Sequence, residues 1–140
     1  MTLVVRPGHP LLAEPLDDLG RLADYPLVLP LAGTTIRKYA DAFFVQWGIP
    51  LPAQRLETLS PALSRRYVAR SEAVWVAPRD AVRLGVGSGE LVELDLGIQE
   101  PGGSVGICTN VAMPLPLVGQ WFCDALREVV ESLADDLQPL

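Results

Sequence analysis

The chain has 140 residues, 49% of them hydrophobic and 20% charged, with 12 Gly and 13 Pro, the balance of one ordered globular domain, which excludes bulk disorder and a collagen-like repeat. Eleven Lys and Arg stand against 17 Asp and Glu, a net charge of −6, so the surface repels phosphate backbones and excludes DNA binding by electrostatics alone.

The first strand signal is Thr2-Leu3-Val4-Val5-Arg6, which ends in Pro7-Gly8-His9-Pro10, a cluster that neither strand nor helix tolerates in its middle. A short helix is expected over 16–23, before Tyr25-Pro26 resets the backbone and Leu27-Val28-Leu29 reads as a buried strand closed by Pro30. Gly33-Thr34-Thr35 then opens the clearest helix of the chain. Ile36, Ala40, Phe43 and Trp47 follow at spacings of four, three and four, and Gly48 stands just beyond, which supplies a hydroxyl cap, an apolar stripe and a C-terminal glycine.

Residues 54–58 form a short strand, and Ser60-Pro61 is a cap followed by proline at the first helical position of a helix running to about Ala69. Ala73-Val74-Trp75-Val76-Ala77, bounded by Glu72 and Pro78, is short enough for a buried strand and too short for a core helix. The middle of the chain therefore reads β-α-β-α-β, which implies a parallel sheet with right-handed crossovers and helices on its faces. A helical turn over 79–84, a glycine turn over 85–89, strands over 91–96 and 105–109, and a long amphipathic helix from about Leu115 complete the order.

Two helix starts follow two buried strands: Thr34 and Thr35 open one helix and Ser60 the other. In an open parallel sheet both starts lie at the carboxyl edge of the strands, where such folds bind ligands. Each offers unpaired backbone N–H groups, a hydroxyl and the positive end of a helix dipole, a combination that favours a carboxylate or another anion. The plain alternative is that the three hydroxyls only cap their helices. Arg37, in the first turn, opposes the dipole unless it meets an anion, either a bound carboxylate or Glu57 or another nearby acidic residue.

Other patterns carry less. Gly102-Gly103-Ser104-Val105-Gly106 matches a nucleophile elbow but lacks the preceding strand and the following helix. The glycines of 85–89 lack the Lys-Ser/Thr ending of a phosphate loop. His9, the single histidine, reads as an exposed loop residue, and Glu57 and Glu72 have no stated reason to pair across a cleft. Cys108 and Cys123 form neither a zinc knuckle nor a disulfide framework and read as buried thiols of a reducing compartment. No enzyme, metal or cofactor is expected. No apolar window reaches bilayer length, and the N-terminal run is too short for a signal-peptide core, so no membrane contact and a cytoplasmic location are expected.

Leu3-Val4-Val5-Arg6-Pro7-Gly8-His9-Pro10-Leu11, Tyr25-Pro26-Leu27-Val28-Leu29-Pro30, and Gly33 with Arg37 resemble the effector domain of LysR-type transcriptional regulators over nearly the whole chain. Leu56-Glu57-Thr58-Leu59-Ser60, Arg66-Tyr67-Val68 and Ser71-Glu72-Ala73-Val74-Trp75 are similar to the branch containing the protocatechuate (pca) operon regulator and the galactose-binding protein regulator. The resemblance implies an α/β, periplasmic-binding-protein-like fold with a parallel-rich sheet and helices on both faces. Residues of about 10–96 would be the second lobe, and 1–9 and 97–140 would be crossing strands and the remainder of the first lobe.

The resemblance further implies a small-molecule effector held between lobes, with contacts that map onto Gly33, Thr34, Thr35, Arg37, Ser60 and Pro61. DNA contact would come only through an N-terminal winged helix-turn-helix that is not in this chain, and effector domains would pair as dimers, within tetramers of the complete regulators. A carboxylated intermediate of aromatic catabolism is the expected effector, and a sugar-type effector is the second choice. The alternative from another class is a free-standing truncated module for small-molecule binding or protein interaction.

Overall fold

A computed structural model of the protein describes residues 1–13, 15–16, 18–97 and 106–135. The chain divides into two compact units, Met1–Gly102 and Gly103–Leu140.

The first unit holds a five-stranded sheet in the order β3-β2-β4-β1-β5, built from β1 (Thr2–Val5), β2 (Leu27–Leu29), β3 (Arg55–Glu57), β4 (Val74–Ala77) and β5 (Val92–Glu93). Leu27 pairs with Arg55 and with Val74 in parallel registers. The β-α-β-α-β expectation thus holds for β2, α1 (Thr35–Gln46), β3, α2 (Pro61–Ala69) and β4. The sheet is mixed, however, because β1 runs antiparallel to both β4 and β5, with Thr2 opposite Ala77 and Val4 opposite Glu93.

Side chains alternate faces along each strand, and the core follows that period of two. Leu3, Val5, Leu27, Leu29, Val74 and Val76 point to one face, where Ala40, Phe43 and Phe44 of α1 cover them. Val4, Val28, Trp75 and Ala77 point to the other, against Val68 of α2 and Val82 of α3 (Arg79–Gly87). Helices therefore cover both faces, and every residue of β2 and β4 is buried.

The helix ends follow the local chemistry. Thr34 accepts the Arg37 N–H at 3.3 Å, and Ser60 accepts the Leu63 N–H at 3.3 Å with Pro61 at the first helical position. After α1 the chain turns through Gly48 at φ +64°, and the N–H groups of Gly48 and Ile49 reach the carbonyls of Val45 and Phe44 at 3.1 and 2.8 Å. This closing pair of bonds, with Ile49 buried beside Phe44, is a Schellman stop that only a residue free to adopt positive φ makes cheaply.

Several expectations are corrected. The helix expected over 16–23 is a 3-10 segment, Leu19–Asp24, started by Asp18, whose carboxylate accepts the Gly20 N–H at 2.8 Å. Of the glycine turn expected over 85–89, Gly85, Val86 and Gly87 are the last residues of α3, and the turn is confined to Ser88 and Gly89, the latter at φ +77°. The strand expected over 91–96 shrinks to β5, since its one neighbour, β1, is only four residues long. Of the strand expected over 105–109, Val105 lies outside the described residues and 106–109 form none. Cys123 is buried but Cys108 is exposed.

The second unit contains α4 (Leu117–Asp135), on which Val118, Trp121 and Phe122 are exposed. Among the described residues no helix is long and apolar enough to cross a membrane.

Candidate functional site

Strands β2, β3 and β4 run in the same direction and end at Leu29, Glu57 and Ala77, and each is followed within a few residues by a helix start. The N-termini of α1, α2 and α3 are thereby gathered at one edge of the sheet. A cleft of about 110 Å³ opens there, lined by residues of all these segments: Pro30 and Ile36, Thr58 to Pro61, Ser64, Trp75, Val76, Pro78 and Ala81.

The expected site residues divide. Ser60 and Pro61 line the cleft directly. Thr34 and Thr35 stand at the start of the helix whose Ile36 lines it, and Gly33, at φ +86° with open space around its Cα, carries the chain into that helix. Thr34 also donates its hydroxyl hydrogen to the Leu31 carbonyl at 2.8 Å, so that hydroxyl serves the turn and the cap together. Thr35 is exposed, and its hydroxyl has no partner among the described residues.

Arg37 is placed differently from a free clamp. Only 9% exposed, it donates from Nε to Asp41 at 2.8 Å and from Nη1 to the Pro30 carbonyl at 3.0 Å, with Glu57 Oε2 at 3.3 Å from Nη1. Its pKa is raised, foremost by the hydrogen bond to Asp41. The anion that offsets its unfavourable position near the helix start is thus supplied by the protein, in the pairing with Glu57 that the sequence offered as one choice. Arg55 Nε approaches Glu57 Oε1 at 3.1 Å, and hydrogen bonds from Arg55 and then Arg37 hold the Glu57 carboxyl below its usual range. The cluster locks the end of β2, the first turns of α1 and the end of β3 into one rim.

Thr58, Ile36, Trp75, Ser64 and Pro78 are cleft residues that sequence reasoning missed. Trp75 was legible as strand; its position at the cleft follows from the register against Val28, a relation between strands that no local pattern carries. A second cavity of about 520 Å³ lies at the β1 and β5 side of the same unit, where Arg79 Nη2 meets Glu93 at 3.2 Å and the Thr2 hydroxyl donates to the same carboxylate.

The weaker patterns resolve as structure. His9 is not exposed: it is 1% exposed, with Nε2 3.1 Å from the Glu72 carbonyl oxygen and Nδ1 accepting the Leu11 N–H at 3.1 Å. Glu72 faces Arg6 at 3.6 Å and does not pair with Glu57. Most of the nucleophile-elbow pattern, 102–105, lies outside the described residues, and no helix follows Gly106 directly. Among the described residues no group of three or more His, Cys, Asp or Glu could hold a metal ion.

The LysR substrate binding domain family matches residues 1–131. The chain is 32% identical over 136 residues to the HTH-type transcriptional regulator PcaQ of Agrobacterium fabrum, covering 94% of this chain and 42% of that protein. It is 34% identical over 128 residues to the uncharacterized HTH-type transcriptional regulator YdcI of Escherichia coli, covering 91% of this chain and 41% of that one. The chain thus spans less than half the length of these relatives. Among solved structures it resembles the Synechocystis PCC6803 CcmR regulatory domain in complex with 2-PG, with a TM-score of 0.61 and 19% identity, over 91% of this chain and 61% of that one; the likeness is one of fold. With a family match over nearly its whole length and two regulators at this level of identity, the chain belongs to the LysR substrate-binding domain family, and its α/β architecture is the periplasmic-binding-protein-like one of that family.

Proposed function

We propose that this chain is the effector-sensing part of a LysR-type transcriptional regulator and that it binds a small carboxylated metabolite at the carboxyl edge of its sheet. The observation that carries the reading is that the starts of α1 and α2, which hold Thr34, Thr35 and Ser60, lie at one edge of the sheet beside a cleft lined by Ile36, Ser60 and Pro61. Helix N-termini bind anions through their free N–H groups and dipoles. Arg37 acts here as a positioning residue that fixes the loop carrying Gly33 and Thr34. Residues of about 10–96 form the second lobe of the effector domain, and the rest belongs to crossing segments and the first lobe.

The effector we favour is an intermediate of aromatic catabolism, supported by the likeness to PcaQ; a sugar-type effector is the second choice. Binding would bias the arrangement of lobes and so the DNA contacts of a part of the regulator outside this chain, which requires different affinities for two arrangements. Self-association through effector domains, a cytoplasmic location and the lack of catalysis belong to the same reading, since the relatives are named as transcriptional regulators.

The test is calorimetric titration of small carboxylates into the 140-residue chain and into the complete regulator. Thr34→Val and Ser60→Ala should each weaken binding by about 1–2 kcal/mol through lost hydrogen bonds to a charged group. Unchanged isotherms for both variants would overturn the site.

A further inference from the structure

The cleft has an apolar interior that the helix-start argument does not explain. Trp75 is 6% exposed and lines it, on the face of the sheet that α2 and α3 cover. Its indole N–H has no hydrogen-bond partner among the described residues, yet no buried side-chain nitrogen or oxygen there is left unpaired. Trp75 is a wall of the cleft, within reach of a ligand seated there. A tryptophan N–H buried to this degree ordinarily finds a partner.

Of the three hydroxyls that border the cleft, only that of Ser64 has its hydrogen committed, whereas those of Ser60 and Thr58 accept from backbone N–H groups and keep their hydrogens for a ligand. Ser64 donates to the Ser60 carbonyl at 3.0 Å, Ser60 Oγ accepts the Leu63 N–H, and Thr58 Oγ1 accepts the Ser60 N–H at 3.1 Å. Ile36, Pro30, Pro78 and Ala81 supply the remaining walls. A polyhydroxylated ligand needs a partner for each of its hydroxyls, and each one left facing Ile36, Pro30, Pro78 or Ala81 costs about 1–3 kcal/mol. An apolar group would strand none. The volume, about 110 Å³ and open on one side, is of the order of the roughly 150 Å³ apolar cavity that accepts benzene.

Resting on the proposed function above, we infer that the Trp75 slot is a specificity subsite: it takes a ring-sized apolar group of the effector, with the indole N–H donating to an acceptor on that group, while the helix starts hold the carboxylate. The subsite selects ring-bearing carboxylates over sugar acids of the same charge.

Benzoate and galactonate, two monoanions that differ in the rest of the molecule, are the probes. They are titrated into the full chain carrying Trp47→Phe and Trp121→Phe, both exposed positions, so that emission reports Trp75 alone. Benzoate should bind at least tenfold more tightly than galactonate and change Trp75 emission. Ala81→Leu, which fills the slot from α3 without altering the sheet, should weaken benzoate at least tenfold and galactonate less than threefold. Trp75→Phe, checked for folding by circular dichroism, should favour unsubstituted benzoate over ring-hydroxylated benzoate relative to the parent, having lost the donor. Equal affinities for the two probes, or an Ala81→Leu variant that leaves their ratio unchanged, would overturn the subsite while leaving the anion site standing. Binding of neither probe would overturn both.

Discussion

His9 Nε2 lies 3.1 Å from the backbone carbonyl oxygen of Glu72, sixty-three positions along the chain, and joins the loop that leaves β1 to the segment that enters β4. Nδ1 accepts the Leu11 N–H, and a backbone N–H can only donate, so the proton sits on Nε2 and the ring is neutral. Tyr25 packs on it at 4.7 Å between ring centroids, with Arg6 and Glu72 as the nearest charges.

Burial is the main reason that the His9 pKa falls below 6.5, with Arg6 adding to the fall and Glu72 opposing it. The folded state binds a proton less readily than the unfolded one, so this contribution is fully present above pH 6.5 and is lost as the pH drops from there through the lower folded value. Denaturant midpoints should therefore decline below pH 6.5. His9→Leu should flatten that slope and cost about 1–3 kcal/mol at pH 8, by leaving the Leu11 N–H and the Glu72 carbonyl without partners. An equal slope in parent and variant would remove His9 from the account.

Arg37 should prove a stabilising residue first. Arg37→Met removes bonds to Asp41, Glu57 and Pro30 and should lower stability by about 1.5–3 kcal/mol, the range for hydrogen bonds to charged groups. Glu57→Gln combined with it should cost less than the two single losses added, because each single change already breaks the shared pair. Glu57 also sets a pH limit. Held below its ordinary 4.5 by Arg55 and Arg37, it contributes above that value and its contribution is lost as the pH falls through the lower folded pKa. A strictly additive double-mutant cycle would contradict the pairing.

Much of this arrangement was legible in the residues. The cap and glycine of α1 and the Ser60-Pro61 start of α2 fall where local chemistry places them, because each depends on contacts within a few positions, whereas the stripe keeps Ala40 and Phe43 but turns to Phe44 and leaves Trp47 exposed. The reversed direction of β1 was not, since nothing within Thr2–Val5 encodes whether Ala77 or another residue lies opposite Thr2. His9 misled for a related reason: a Gly-His-Pro loop looks solvated until Glu72 and Tyr25 arrive from elsewhere. The starts of α1 and α2 were thus readable from neighbouring residues, while the Trp75 wall depended on pairing across strands.

Gly85 and Gly87 occupy the same helix and should respond oppositely to alanine. A Cβ at Gly85 would stand 2.9 Å from Leu91 Cδ1 and 3.3 Å from its Cγ, and Leu91 is 2% exposed. The helix gains about 1 kcal/mol from alanine over glycine, but repacking a buried leucine costs about 1–3 kcal/mol, so Gly85→Ala should be neutral to destabilising. A Cβ at Gly87 meets nothing within 4 Å, and Gly87→Ala should stabilise by about 0.4–1 kcal/mol by restricting the unfolded chain. Urea titrations of the two variants decide this, and a stabilised Gly85→Ala would contradict the packing of Leu91 on α3.

Capping and ligand binding by Thr34 and Ser60 can be separated by charge. Thr34→Val and Ser60→Ala remove bonds to the Arg37 and Leu63 N–H groups and should each lower the stability of the unliganded chain by about 1 kcal/mol. A loss of affinity in those variants could therefore come from a frayed helix start. Aspartate caps as well as threonine or serine and favours the dipole, so Thr34→Asp and Ser60→Asp should hold stability within about 0.5 kcal/mol of the parent. The same aspartates place a negative charge where the effector's carboxylate would sit. They should weaken carboxylate binding by about tenfold or more, and less at high salt, because a Debye length of about 8 Å at physiological ionic strength shrinks as salt is added. Stable aspartate variants with parental affinity would mean that the two helix starts only cap, and that the carboxylate is held elsewhere.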